Sequence, residues 1–222
     1  MPQLLISVTN IEEANVALPY ADILDLKNPH EGALGALPLE TIQYVVEFVN
    51  KQKIVSATIG DLPMEAEKIV PAVQSMQATE VDFIKIGFFE SQNYQACLER
   101  LAPLAKNGAK LIAVLFAEKT YPEDLIEKIG DAGFVGVMLD TSEKNGHTLF
   151  DYYTLDKSVA FINQAQSKGL KVGIAGSLNH SHLAAVKNLS PDYAGFRGGV
   201  CESQNRTFSL SEEKIKALCK LL

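Results

Sequence analysis

The sequence predicts a (β/α)8 barrel, with residues 1–222 forming a single catalytic domain, and three observations carry that prediction. Short apolar runs rich in β-branched residues recur at near-regular intervals. Stretches with helical spacing and one polar face lie between them. Gly108, Gly133 and Gly169 stand where such helices must stop before the next strand. Eight strand–helix units in 222 residues give about 28 residues per unit, which suits a compact barrel. A doubly wound open sheet competes, but it usually has fewer strands. Its Gly-rich dinucleotide turn is also absent after the first strand, where SVTNIEEA stands instead.

The strand-like runs are LLISVT (4–9), ADILDLK (21–27), IVSATIG (54–60), DFIKIG (82–87), AKLIAVLF (109–116), FVGVML (134–139), LKVGIAG (170–176) and YAGFRG (193–198). The clearest helical stretches are 38–52 and 155–169, each with apolar residues three or four apart. Asp82 and Asp192 open their strands in the same local pattern, a small or apolar residue, then Asp, then an aromatic. No linker, low-complexity run or block of like charge divides the chain.

Composition removes several function classes. The net charge of −7 offers no basic field to recruit nucleic acid or anionic lipid, although local basic residues can still bind a small anion. The longest clean apolar stretch, 111–117, is too short to span a bilayer. The N-terminal MPQLLISVTN has no basic region or cleavage pattern of a secretory signal. Cys97, Cys201 and Cys219 are odd in number and far apart, against a disulfide framework or zinc knuckle. A cytoplasmic, reducing setting is expected, with no nucleic-acid or membrane partner. Whether copies of the chain associate into a homo-oligomer is left open.

In a barrel strand, alternate side chains face the interior or the outer helices, so polar residues betray the inward face. Leu24 and Leu26 pack outward in strand 2, leaving Ile23, Asp25 and Lys27 inward. By the same parity Ser56 and Thr58, Phe83 and Lys85, Asp140, and Arg197 turn inward. Asp25, Lys27, Ser56, Thr58, Lys85, Asp140 and Arg197 are therefore expected near the C-terminal mouth, where barrels of this kind carry their active sites.

Two interior lysines are the sharpest chemical signal. Strands 2 and 4 lie roughly 10 Å apart, so both amines can reach one substrate. A neighbouring cation and a dry wall favour the neutral amine that attacks carbonyls, which points to Schiff-base formation and carbon–carbon bond chemistry. The plain alternative is a structural ion-pair network such as Asp25 with Lys27. IAGSLN (174–179) and FRGGV (196–200) place small residues where backbone N–H groups approach an anion, the usual phosphate position in barrels, with Arg197 as a bidentate donor. The long loop NPHEGALGA (28–36) reads as a lid or a second anion site. His180 and His182 read as solvated or capping residues, and Cys201 as a packed thiol.

At these strand ends the sequence resembles the (5-formylfuran-3-yl)methyl phosphate synthases, also called 4-(hydroxymethyl)-2-furancarboxaldehyde-phosphate synthases. The matching segments are DLKNPHEGALGA (25–36), VSATIGDLP (55–63), DFIKIG (82–87), VMLDTSEKNGHTLFDY (137–152), GLKVGIAGS (169–177) and GFRGGVC (195–201). They run in order along nearly the whole chain. Gly199-Val200 and the following ESQNRTF (202–208) depart from the form associated with methanogens, and Lys119 is not carried over.

The resemblance implies a lyase that condenses two molecules of glyceraldehyde 3-phosphate to a furan aldehyde phosphate, in the biosynthesis of methanofuran or a related cofactor. It implies neither metal nor organic cofactor, and a phosphorylated triose as the small-molecule partner. The family's Schiff-base lysine falls on Lys27, its proton-transferring lysine on Lys85, and its strand-6 aspartate and nearby lysine on Asp140 and Lys144. Joined to the residue-level reading, the expected catalytic set is Lys27, Lys85, Asp140, Asp25 and Lys144. The expected phosphate set is Gly176, Ser177, Arg197, Gly198, Gly199, Asn28 and Gly32. The rival activities are another Schiff-base aldolase of phosphorylated sugars and a non-catalytic barrel that binds a phosphate ligand.

Overall fold

A computed structural model describes residues 1–143 and 145–221. Eight parallel strands, β1 (Gln3–Val8), β2 (Ile23–Leu26), β3 (Ile54–Thr58), β4 (Phe83–Gly87), β5 (Leu111–Phe116), β6 (Gly136–Asp140), β7 (Lys171–Ile174) and β8 (Tyr193–Phe196), close into a barrel in chain order. Around it run α1 (Ile11–Ala17), α2 (Leu39–Val49), α3 (Ala66–Gln77), α4 (Tyr94–Lys106), α5 (Leu125–Asp131), α6 (Leu149–Tyr152), α7 (Leu155–Ser167), α8 (Leu183–Leu189) and α9 (Glu212–Cys219). All eight expected strands are present. The helix expected over 38–52 is shorter, because Asn50 turns left-handed at φ 45° and ends it. The helix expected over 155–169 stops at Ser167, and Gly169 takes φ +73° as a helix-stop glycine should.

Two apolar clusters divide the core as the alternation requires. The larger lies between barrel and helices and contains Leu24, Leu26, Val55, Ala57, Ile84, Ile86, Val137, Leu139, Ala194 and Phe196. The smaller fills the interior with Leu5, Ile23, Ile112, Val114, Phe116, Met138 and Tyr193. The aspartates at strand entries have a specific task. Asp22, Asp82 and Asp192 each accept the backbone N–H of a residue on the preceding strand (Leu4, Val55 and Val172) at 2.7–2.8 Å, pinning the N-terminal rim.

Strand pairing fixes height as well as direction. With the one-residue-per-strand shear of an eight-stranded barrel, the inward residues stack in layers of four from alternate strands. Lys27, Gly87, Asp140 and the residue just after β8, Arg197, form the top layer. Ser7, Thr58, Val114 and Ala175 lie beneath them. Asp25, Lys85, Met138 and Gly195 come next, then Leu5, Ser56, Ile112 and Gly173, then Ile23, Phe83, Gly136 and Tyr193. Large side chains are accommodated by glycines in neighbouring layers: a Cβ on Gly173 would meet the Tyr193 ring at 2.1 Å.

Candidate active site

A cavity of about 470 Å3 opens at the C-terminal mouth, within the range of small-molecule sites. Its floor and wall carry Ser7, Asp25, Lys27 and Asp140. Its rim carries Gly176, Ser177, Gly198, Gly199 and Arg206. Lys27 and Asp140 are buried, and Lys27 is the one lysine lining this cavity among the described residues. Asp140 ends β6 and accepts the N–H of Thr141 at 2.7 Å. Lys144, expected beside it, lies outside the described residues.

Asp25 is fully buried and densely bonded. Its carboxylate accepts the hydroxyls of Ser56 at 2.6 Å and Ser7 at 3.2 Å, and Lys85 Nζ stands 2.7 Å away in ion-pair contact. Asp25 is the one described group that this buried amine meets. Lys85 is thus an ion-pair partner of Asp25. Lys85 also sits lower than expected. It belongs to the Asp25 layer and borders a separate small cavity, because barrel shear places it one even-strand layer below Lys27. Ser56 lines that lower cavity too, and Thr58 donates to the carbonyl of Gly35 at 3.0 Å instead of facing the mouth cavity.

The expected phosphate set divides. Gly176 and Ser177 line the rim in left-handed conformations, φ +105° and +51°. Gly198 and Gly199 open a 3-10 turn whose first N–H groups have no partner within the turn. A Cβ on Gly199 would come within 2.6 Å of the Leu178 carbonyl, so the two loops touch only because this residue has none.

Arg197 corrects the expectation. It contributes to the cavity wall, but all five guanidinium N–H groups are already taken by the Glu13 carboxylate and the carbonyls of Ser7, Arg206 and Phe208. A buried arginine needs such partners, and Glu13 from α1 supplies the opposite charge. Its side chain ties the β1 and β8 ends together and has no donor left for phosphate.

The loop 28–36 is likewise no anion cradle. Asp61 accepts the N–H groups of Ala33 and Leu34, both at 2.7 Å, so a carboxylate of the chain already occupies that position. Gly32 sits at φ +68°, where a Cβ would meet Asp61 Oδ2 at 1.9 Å. The Asn28 side chain accepts the His30 N–H at 3.1 Å, and neither Asn28 nor Gly32 lines the mouth cavity.

Arg206 was missed by sequence reasoning. It lines the cavity and makes one side-chain hydrogen bond, to the Gly32 carbonyl at 2.9 Å. Burial lowers its pKa, against the opposing pull of Asp140. The only signal was its place in the divergent segment 202–208. The minor candidates read as expected. His182 Nδ1 accepts the Asn179 N–H at 3.1 Å in a capping box. Cys201 is a buried free thiol pushed up to about 11 by burial.

A closed (β/α)8 barrel whose C-terminal cavity joins a buried lysine, two carboxylates and glycine-rich strand ends defines a barrel enzyme. 3-Hexulose-6-phosphate synthase from Salmonella typhimurium shares that fold, with TM-score 0.70 at 12% identity over 99% of this chain and 98% of its own. The family model for 4-HFC-P synthase matches residues 4–219, and the chain belongs to that family. A relative from Methylorubrum extorquens is 39% identical over 96% of this chain and 89% of its own length. The (5-formylfuran-3-yl)methyl phosphate synthase of Methanobrevibacter smithii is 35% identical over 97% of this chain and 98% of its own. No helix among the described residues is long and apolar enough to cross a membrane.

Proposed function

We propose that the mouth cavity condenses two molecules of glyceraldehyde 3-phosphate to (5-formylfuran-3-yl)methyl phosphate, releasing one phosphate and two waters, through a Schiff base on Lys27. The observation that carries this reading is the placement of Lys27, buried in the top layer and lining the cavity beside Asp25 and Asp140. Its amine adds to a substrate carbonyl and expels water. The iminium then accepts the electron pair left when a proton leaves the adjacent carbon. Asp140 stands at the same height, suited to moving protons on the bound triose. Asp25 lines the cavity and touches Lys85 within the same layer, so Lys85 acts on the substrate through Asp25. Aldol addition, ring closure, dehydration and loss of one phosphate complete the furan, and water returns the amine.

The rim N–H groups at Ser177 and Gly198–Gly199, with the Arg206 guanidinium, hold the substrate phosphates. The three unpaired thiols suit a reducing cytoplasm.

Borohydride reduction with glyceraldehyde 3-phosphate, peptide mapping and product mass test the proposal together. A reduced adduct on Lys27 and an ultraviolet-absorbing furan phosphate support it. An adduct on Lys85 reverses the assignment. An imine with a hydroxyketone product indicates another aldolase, and no adduct leaves only a binding barrel.

A further inference from the structure

Below the mouth, Lys85 borders a cavity of about 10 Å3 that Ser56 and Tyr193 also line. That volume is about the space of one water. Tyr193 opens β8 two layers beneath Lys85, and its ring fills the space that Gly173 leaves without a Cβ. Its hydroxyl is buried and makes no hydrogen bond with any described group, and the three donors of the Lys85 ammonium meet only Asp25 among the described groups. Buried hydroxyls and amines rarely go unmatched in native proteins, and a small cavity walled by both is where a water satisfies them.

We propose that this cavity binds one water bridging Tyr193 Oη and Lys85 Nζ, and that Tyr193 is a positioning residue for Lys85. With Lys85 protonated, the ammonium donates to the water and the water donates to Tyr193 Oη. When Lys85 passes its proton toward Asp25, the neutral amine accepts from the water, and the phenol hydroxyl turns to donate to it. A hydroxyl serves both arrangements because it is donor and acceptor at once. Burial, together with Asp25 and Asp192, holds the phenol well above its usual pKa, so it acts as a rotor and not as a base. The charged groups around the pair are Asp25 from β2, Lys85 from β4, Lys171 from β7 and Asp192 before β8. The catalytic part of this inference rests on the proposed function; the water itself does not.

A high-resolution crystal structure of the full chain tests the water, and Tyr193→Phe tests its role while keeping the ring against Gly173. The wild type should show one water within hydrogen-bond distance of both atoms, absent from the variant. The variant should lose about tenfold in kcat with KM within about twofold. A wild-type cavity without that water overturns the proposal, whether or not the variant folds and whatever the product. A water present in the wild type, with kcat unchanged in the variant, or with kcat and KM lost together, overturns the positioning role.

Discussion

Replacing Arg197 by alanine should unfold the barrel's closure before it affects substrate. Arg197 and Glu13 side chains are only 6% and 11% exposed, and the substitution removes the counter-ion of the buried carboxylate and the donors of three carbonyls. Removing one partner of a buried ion pair costs about 3–5 kcal/mol. A chain of this size moves about 2–4 °C per kcal/mol, so the melting temperature should fall by roughly 6–20 °C. Arg206→Ala forfeits one hydrogen bond to the Gly32 carbonyl from a half-buried side chain, and its melting point should stay within about 3 °C of wild type. If Arg206 grips a substrate phosphate, loss of its charged hydrogen bonds removes about 1.5–3 kcal/mol, a rise in KM of roughly 10- to 150-fold. Phosphate contacts hold ground and transition states alike, so kcat should change less. Thermal melts and initial rates on glyceraldehyde 3-phosphate separate the two arginines. An Arg197→Ala enzyme that melts normally but binds substrate poorly would return the phosphate role to Arg197 and refute the argument from its five occupied donors.

Asp140→Asn keeps volume but removes charge and basicity, so it should fold normally and lose most of its turnover; near-normal rates would make Asp140 a structural partner only. Gly32→Ala must adopt φ +68° and displace Asp61, costing at least about 1–2 kcal/mol from the backbone alone, and a melt indistinguishable from wild type would contradict the close approach. Burial pushes the Glu118 carboxyl up, but the Ser142 hydroxyl and the N–H groups of Ser142 and Glu143 outweigh it and hold it below the usual range. A folded pKa below the unfolded one contributes stability that is complete above the unfolded value and lost as pH falls through the folded value. Amide protection at Ser142 and Glu143, corrected for intrinsic rates, should therefore fall on acidification, and Glu118→Gln should abolish that dependence; the same acid dependence persisting in Glu118→Gln would show that it does not come from Glu118 ionisation.

What could be read from the sequence, and what could not, divides along a physical line. Alternation along a strand is local, so the inward direction of Asp25, Lys27, Lys85, Asp140 and Arg197 followed from their neighbours alone. The strand count and helix stops were legible for the same reason. Partners are not local: the carboxylate that occupies Arg197 comes from α1, 184 residues earlier, and the one that fills the 28–36 loop follows β3. A glycine-rich loop looks the same in sequence whether it awaits phosphate or already wraps an aspartate. Gly32 shows the second case, and its φ +68° was invisible without the fold. Arg206 lay in the opposite blind spot, in a loop with no strand parity to mark its direction.

Height in the barrel also escaped the sequence, and it bears on how two lysines share one interior. Parity made Lys27 and Lys85 equivalent, because each follows the same inward alternation. Register and shear separate them by one even-strand layer, since each step around the barrel shifts the level by one residue. That shift leaves Lys27 on the mouth cavity and puts Lys85 level with Asp25, 2.7 Å from its carboxylate. Two amines at one level would compete for the same carbonyl, and each would raise the cost of charging the other. Asp25 lines the mouth cavity and Lys85 does not, so the proposed function has the upper amine meet substrate and the lower one act through Asp25. The division of labour proposed for the two lysines thus rests on the shear that closes the barrel.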